Sequence, residues 1–285
     1  SSEYPPLLRH IPDKPTILHI KGEAKFDYEK MLSVVGTRNA TYYGIEQTKK
    51  IIDEIPAETC IVSGLALGID TQAHLSALEN KLPTIAVLGH GLDIIYPASN
   101  KELAEKILDN GGTLISEMPF GTPILAGIFP RRNRIIAGIT HATLVVEASV
   151  KGGALITAAF ANGYNRTVFA IAGRNDSCFS QGCNSLIKQN SAMLVDSGSD
   201  IFEAMNWKTS ITRDAEKTDK TGNLLEKEVQ ILQIIEREKP CSLDTIFEKT
   251  NLPVPEILSI LTKLEISNFI KETSTCLYEP AIKRH

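Results

Sequence analysis

The sequence predicts an α/β fold, a doubly wound and mostly parallel sheet that takes up most of the chain, with a small second module at the carboxyl end. Three observations predict it. Short β-branched runs, apolar throughout, recur along the chain as strands buried on both faces do. Helical patterns alternate with them, the order that yields parallel strands joined by crossover helices. A polar, charged stretch then sets off a tail of different rhythm.

A proline-rich lead at 4–15 and a short apolar segment at 16–20, fit for an edge strand, open the chain. Six runs follow. Leu32-Ser33-Val34-Val35 ends at Gly36, Cys60-Ile61-Val62-Ser63 at Gly64, and Thr84-Ile85-Ala86-Val87-Leu88 at Gly89. Thr113-Leu114-Ile115 ends at Ser116, Thr143-Leu144-Val145-Val146 at Glu147, and Thr167-Val168-Phe169-Ala170-Ile171 near Gly173. Helical patterns fall between them at 46–55, 70–79, 100–109, 135–139 and 154–161. After the polar stretch come helical patterns at 228–236, 243–249 and 255–268, then Phe269-Ile270-Lys271 and Leu277-Tyr278-Glu279 as a small hairpin, an order that reads as winged-helix-like. The expected division is 1–208 for the sheet domain, 209–222 for a linker and 223–285 for the tail module.

Ligands of open parallel sheets bind at the carboxyl ends of the strands, near a point where the strand order reverses. The segments after the runs are rich in Gly, Ser, Thr and Asn, and all should lie on one rim: Gly36-Thr37-Arg38, Gly64-Leu65-Ala66-Leu67-Gly68, Gly89-His90-Gly91, Ser116-Glu117 and Lys151-Gly152-Gly153. Glycine allows close backbone approach, which suits phosphates and flat bases. The stretch Phe129-Pro130-Arg131-Arg132-Asn133-Arg134 precedes an apolar helical run, so three arginines would crowd the positive end of a helix dipole. An anion would relieve that crowding through backbone N–H groups and forked guanidinium bonds; the alternative is pairing with carboxylates elsewhere in the fold.

Composition narrows the classes. The chain has 285 residues and a formal net charge of −4. Residues 223–285 hold 8 Lys and Arg against 10 Asp and Glu, leaving 22 against 24 of the totals of 30 and 34, so neither part is basic and anion binding must come from clustered side chains. No apolar run is long enough to cross a bilayer, and the start lacks the regions of a signal peptide, so a cytoplasmic protein without membrane contact is expected. Cys60, Cys178, Cys183, Cys241 and Cys276 have no C-x-x-C spacing, which points to buried thiols and to neither disulfides nor zinc. G-x-G-x-x-G and G-x-x-x-x-G-K-[ST] are absent, so neither a dinucleotide cofactor nor a hydrolysed triphosphate is supported. Asp70 and His74 read as a capping Asp and a helix-face His, and Glu117 and Glu147 carry no sign of acid–base pairing, so no catalytic residue, cofactor or metal is expected.

Several long segments carry a resemblance: Ser63 to His74, the LGHGLDIIYP segment, SEMPFGTP with FPRRNRIIAGI, and Val145 to Ala158 followed by Gly182-Cys183-Asn184. Together they resemble the DNA-processing protein A family, also called DprA or Smf, over about residues 4–205. The resemblance implies an extended Rossmann-like domain that binds single-stranded DNA during natural transformation, forms a homodimer and loads the RecA recombinase. Carried over by motif, the expected DNA-binding set is Arg38, Gly64, Leu65, Ala66, Gly68, Ser116, Arg131, Arg132, Asn133, Arg134, Lys151, Gly152 and Gly153. Phosphates would meet the basic side chains, so binding independent of sequence is expected, with Phe120 and Phe129 assigned to core packing. The helix at 255–268 carries Lys263 against Glu256 and Glu265, so the tail reads as a protein-contact or accessory module. Two other classes fit the rim: an enzyme similar to the nucleotide phosphoribohydrolases, although Lys151-Gly152-Gly153-Ala154 lacks their loop's Pro and trailing acid, and a small-nucleotide sensor.

Overall fold

The computed structural model describes residues 4–125, 127–207, 231–232, 234–235, 238, 241–250, 252–266, 270–274 and 277–280. It divides into two compact units, Ser1–Thr209 and Ser210–His285. The expected linker at 209–222 lies outside the described residues.

The first unit is an eight-stranded sheet of order β1-β5-β4-β3-β2-β6-β7-β8. Its strands are β1 (His19–Gly22), β2 (Lys30–Val35), β3 (Thr59–Ser63), β4 (Thr84–Leu88), β5 (Thr113–Ser116), β6 (Ala142–Val145), β7 (Thr167–Ala170) and β8 (Met193–Leu194). All pair in parallel except β1, which lies antiparallel to β5 with His19 opposite Ser116. Strands β2 to β6 are buried along their whole length, so their sequences need no polar alternation. The side chains still sort by face. Leu32 and Val34 of β2 join one core, while Met31 and Val35 join the core on the other face.

Among the described residues of this unit, seven helices cover the faces: α1 (Tyr42–Asp53), α2 (Ile69–Glu79), α3 (Lys101–Asp109), α4 (Ile128–Ile139), α5 (Gly153–Gly163), α6 (Gln181–Lys188) and α7 (Gly198–Met205). Helix α1 starts four residues earlier than its apolar pattern, because Thr41 caps it by accepting from Gly44 N at 3.2 Å. Helix α4 starts seven residues earlier than expected. Pro130 occupies its first turn, where no N–H is needed. Helices α6 and α7 and strand β8 went unforeseen. For α7 the signal was present, since Ser197 and Asp200 form a reciprocal capping box. The edge strand sits at 19–22 and not 16–20; Ile17, upstream of it, is exposed.

In the second unit, residues 231–232 and 234–235 are helical, followed by helices Leu243–Thr250 and Val254–Ile266. A three-stranded sheet of Ile270–Ser274, Leu277–Pro280 and Cys241–Ser242 completes it around Ile246, Ile257, Leu261 and Leu264. Cys60, Cys183 and Cys241 are buried free thiols as expected, whereas Cys178, also free, is exposed against that expectation, and Cys276 lies outside the described residues. No described helix is long and apolar enough to cross a membrane.

Candidate nucleic-acid interface

Strand order reverses between β2 and β6: the chain steps from β2 through β3 and β4 to β5 on one side, then returns to β6 on the other. A cleft of about 650 Å³ opens at that reversal. Its walls are the turn after β2, the 64–68 loop, the first turns of α4, and the segment leading from β6 into α5. The first and last of these are tied together, as Thr37 N donates to Glu147 O at 2.7 Å.

Arg132 is the buried centre of this arrangement. It donates from Nη1 to Gly64 O at 2.6 Å and also to Val87 O, while its Nε reaches Asn133 Oδ1 at 3.1 Å. Burial brings its pKa down to about 10, against the pull of Asp70. Asp70 is buried too, and burial pushes its carboxyl upward against the opposing charge of Arg132. Asp70 Oδ2 accepts from Gly64 N at 3.1 Å and Ala66 N at 3.4 Å. His74 donates or accepts at Thr84 Oγ1, and burial holds its pKa down to about 3. The 64–68 loop is fixed from outside as well, with Asn100 Nδ2 on Leu65 O and Thr71 Oγ1 on Ala66 O. This lattice holds Leu65 at φ +59° and Gly68 at φ +76°.

The expected site residues divide into groups. Arg38, Ala66, Arg132, Asn133, Gly152 and Gly153 line the cleft, and Gly64 lines a small adjoining recess with Arg38 and Arg132. Arg38 is exposed, its guanidinium 5.3 Å from the centre of the Phe129 ring. Asn133 Nδ2 donates to Gly153 O at 3.2 Å, joining α4 to the start of α5. Lys151 is exposed on the turn before Gly152, the residue that caps α5. Leu65 points into the core, Gly68 packs on the backbone of Thr37 and Arg38, and Ser116 donates to His90 O and accepts from Met118 N, so these three shape the rim from beneath.

Each arginine of this stretch has an oxygen partner inside the fold. The three lie within the first two turns of α4 and not ahead of it. Arg134 Nη2 lies 2.6 Å from Glu117 Oε1, with Asp13 3.9 Å from its Nε, and Arg131 reaches the same Glu117 oxygen at 3.2 Å. Glu147 is likewise occupied, accepting from Thr41 N at 2.9 Å and Thr41 Oγ1 at 2.6 Å. The aromatics also depart from expectation. Phe120 is 63% exposed, and Phe129, half-buried, faces the cleft against Tyr96 at 5.8 Å. Tyr96 belongs to the LGHGLDIIYP segment in the loop after β4, yet it was not among the expected site residues. Among the described residues no three His, Cys, Asp or Glu side chains are grouped to hold a metal ion.

Residues 1–206 match the profile of the DNA recombination-mediator protein A family. This chain belongs to that family. Residues 215–274 match the DprA winged helix domain, in agreement with the helices and small sheet of the second unit. Protein Smf of Escherichia coli strain K12 is 36% identical over 276 residues, covering 95% of this chain and 73% of its own. The DNA processing protein DprA of Streptococcus pneumoniae is 43% identical over 199 residues, 70% of each chain. The crystal structure of the Streptococcus pneumoniae DprA aligns with a TM-score of 0.68 at 42% identity, covering 71% of each chain. DNA processing protein A of Helicobacter pylori, described for its single-stranded DNA binding mode, aligns with a TM-score of 0.65 at 27% identity over 71% of this chain and 92% of its own. The mostly parallel Rossmann-like sheet followed by a winged helix is thus the architecture of DprA proteins.

Proposed function

We propose that the cleft binds single-stranded DNA without regard to sequence. The observation that carries this reading is the pairing of exposed Arg38 with Tyr96 and Phe129 at the mouth of a 650 Å³ cleft floored by glycine backbone and the start of α5. A single strand offers phosphates and unstacked bases together; the former suit Arg38, Lys151 and the uncapped N–H groups of α5, the latter the aromatic faces. The DNA-binding mode described for the Helicobacter pylori relative supports the same assignment. In this reading no catalytic step falls to the carboxylates near the rim, and Asp70, Glu117 and Glu147 have the backbone, hydroxyl and arginine partners described above. In the cell this activity would protect incoming DNA and load the RecA recombinase during natural transformation, with the chain acting as a homodimer in the cytoplasm and the winged helix in a protein-contact role.

Fluorescence anisotropy of a labelled single-stranded oligonucleotide and its duplex, across a salt series, tests the reading. Arg38→Ala is the informative variant because Arg38 is exposed and its removal leaves no buried partner orphaned. The expected result is preference for the single strand, with the variant's salt slope shallower by about 0.7 for each phosphate that Arg38 neutralises in the wild type. Equal binding by wild type and Arg38→Ala would sink the assignment.

A further inference from the structure

Thr157 of α5 is out of keeping with other threonines at helical spacing. Thr48, Thr140, Thr250 and Thr262 each donate to the carbonyl four residues back, at distances between 2.7 and 3.1 Å. That bond satisfies a hydroxyl which the helix would otherwise leave unpaired. Thr157 makes no such bond; Gly153 O, four residues back, accepts from Asn133 Nδ2 at 3.2 Å instead. Its hydroxyl has no hydrogen-bond partner among the described residues, although Thr157 is only 1% exposed. A polar group buried to that extent ordinarily has one. Thr157 lines the cleft, and a helical side chain leans toward the amino end of its helix, so the hydroxyl is directed at the first turn of α5.

That turn has donors to spare. Gly152 holds the capping position, and no side chain caps the helix. Gly152 N donates to Ser149 O at 2.9 Å and Leu155 N to Gly152 O at 3.1 Å, which leaves the N–H groups of Gly153 and Ala154 free. Two N–H groups and one hydroxyl thus face a part of the cleft floored by buried Val35, Ile136 and Ala148. Asp70, the carboxylate that shares the lining, is held by Gly64 N and Ala66 N and faces Arg132. An internal phosphodiester needs room for the strand to leave on both sides and presents two free oxygens. A terminal phosphate monoester enters end-on, presents three, and carries about −1.5 to −2 charges at pH 7.

We infer that the amino end of α5, together with Thr157, is a pocket for a terminal phosphate monoester, whether on the end of a strand or on a free nucleoside monophosphate. In its strand-end form the inference rests on the reading of the cleft as a strand-binding groove and deepens it: a seated end sets the direction in which the strand leaves along the cleft. Anisotropy on the full chain tests this with an internally labelled short strand bearing no terminal phosphate, a 5′ phosphate or a 3′ phosphate, alongside calorimetry with thymidine 5′-monophosphate. Wild type should favour one phosphorylated end over the unphosphorylated strand by roughly tenfold, the equivalent of one additional charge-assisted hydrogen bond. Thr157→Val keeps the shape and removes the hydroxyl, so it should cut that preference roughly threefold and leave affinity for the unphosphorylated strand unchanged. Gly153→Asp is the second variant. A Cβ there meets nothing within 4 Å and an acid in the first turn suits the helix dipole, so the fold should hold while the carboxylate abolishes the preference. A preference for a phosphorylated strand that both variants weaken assigns the pocket to strand ends. Nucleotide binding without that preference, lost in Gly153→Asp, assigns it to the free nucleotide. A preference that survives both variants overturns the pocket. Wild type that binds the unphosphorylated strand but shows neither response keeps the groove and defeats the pocket, whereas wild type that binds neither strand nor nucleotide defeats both.

Discussion

Arg132 and Arg38 illustrate how two arginines of one cleft can do different work. Arg132 is surrounded by carbonyl oxygens and faces buried Asp70, so Arg132→Ala would strand a carboxylate in the core. The expected cost is about 3 to 5 kcal/mol of stability, read by denaturant unfolding. Arg38→Ala should leave the unfolding midpoint within about 0.5 kcal/mol of wild type while weakening strand binding. Gly64 belongs to the same device, since a Cβ there would fall on the Arg132 guanidinium. Gly64→Ala should therefore destabilise by about 1 to 3 kcal/mol, unlike an ordinary loop glycine. His74 gives a pH signature. Its folded pKa of about 3 lies below the unfolded value, so the unfolded chain binds the extra proton and stability falls as pH drops from about 6.5 toward 3. Asp70, raised in the folded state, opposes this at the acid end. Unfolding of His74→Gln at pH 4 and pH 7 should show a smaller acid destabilisation than wild type, by up to about 1.4 kcal/mol per pH unit; an identical destabilisation would assign the acid sensitivity elsewhere.

At the scale of elements, what the chain placed between its strands was readable to differing degrees. The buried runs are legible within a residue or two because a strand covered on both faces must be apolar throughout. Helix starts are harder, because they depend on capping contacts and not on periodicity. Thr41 and Pro130 are cases in point: one extends α1 backward, and the other sits harmlessly in the first turn of α4. Helix α7 depends on its own cap. Ser197 accepts from Asp200 N at 3.2 Å while Asp200 accepts from Ser197 N, and α7 packs against α1 through Gly198 and Glu54. Ser197→Ala should cost about 1 kcal/mol in thermal unfolding, with strand binding unchanged because α7 lies away from the cleft lining.

For the whole molecule, the three cores that hold the sheet together draw only on residues up to 207, and the fourth draws only on 231–278. Each unit therefore has its own apolar interior. A chain ending at residue 208 should fold, with far-ultraviolet dichroism typical of an α/β protein, and should retain the salt slope of the full chain. A truncated chain that aggregates would show that the first unit does not fold alone, and one that binds with a different slope would show the second unit to be part of the binding surface.

By itself the sequence determined the class of the fold, the order of strands β2 to β7 along the chain, the rim on which the loops gather and the family to which the chain belongs. These follow from local composition, because burial on both faces, turn chemistry and motif order are written in neighbouring residues. Only the tertiary structure decided which partner each arginine takes. Arg131, Arg132 and Arg134 look alike as a string, but helical spacing sends Arg131 and Arg134 to Glu117 and Arg132 inward to Gly64 and Val87. It also brought Tyr96, from the loop after β4, and Phe129, from the first turn of α4, to the mouth of the cleft beside Arg38. Partners distant along the chain set the charge a side chain presents, and no local pattern encodes them.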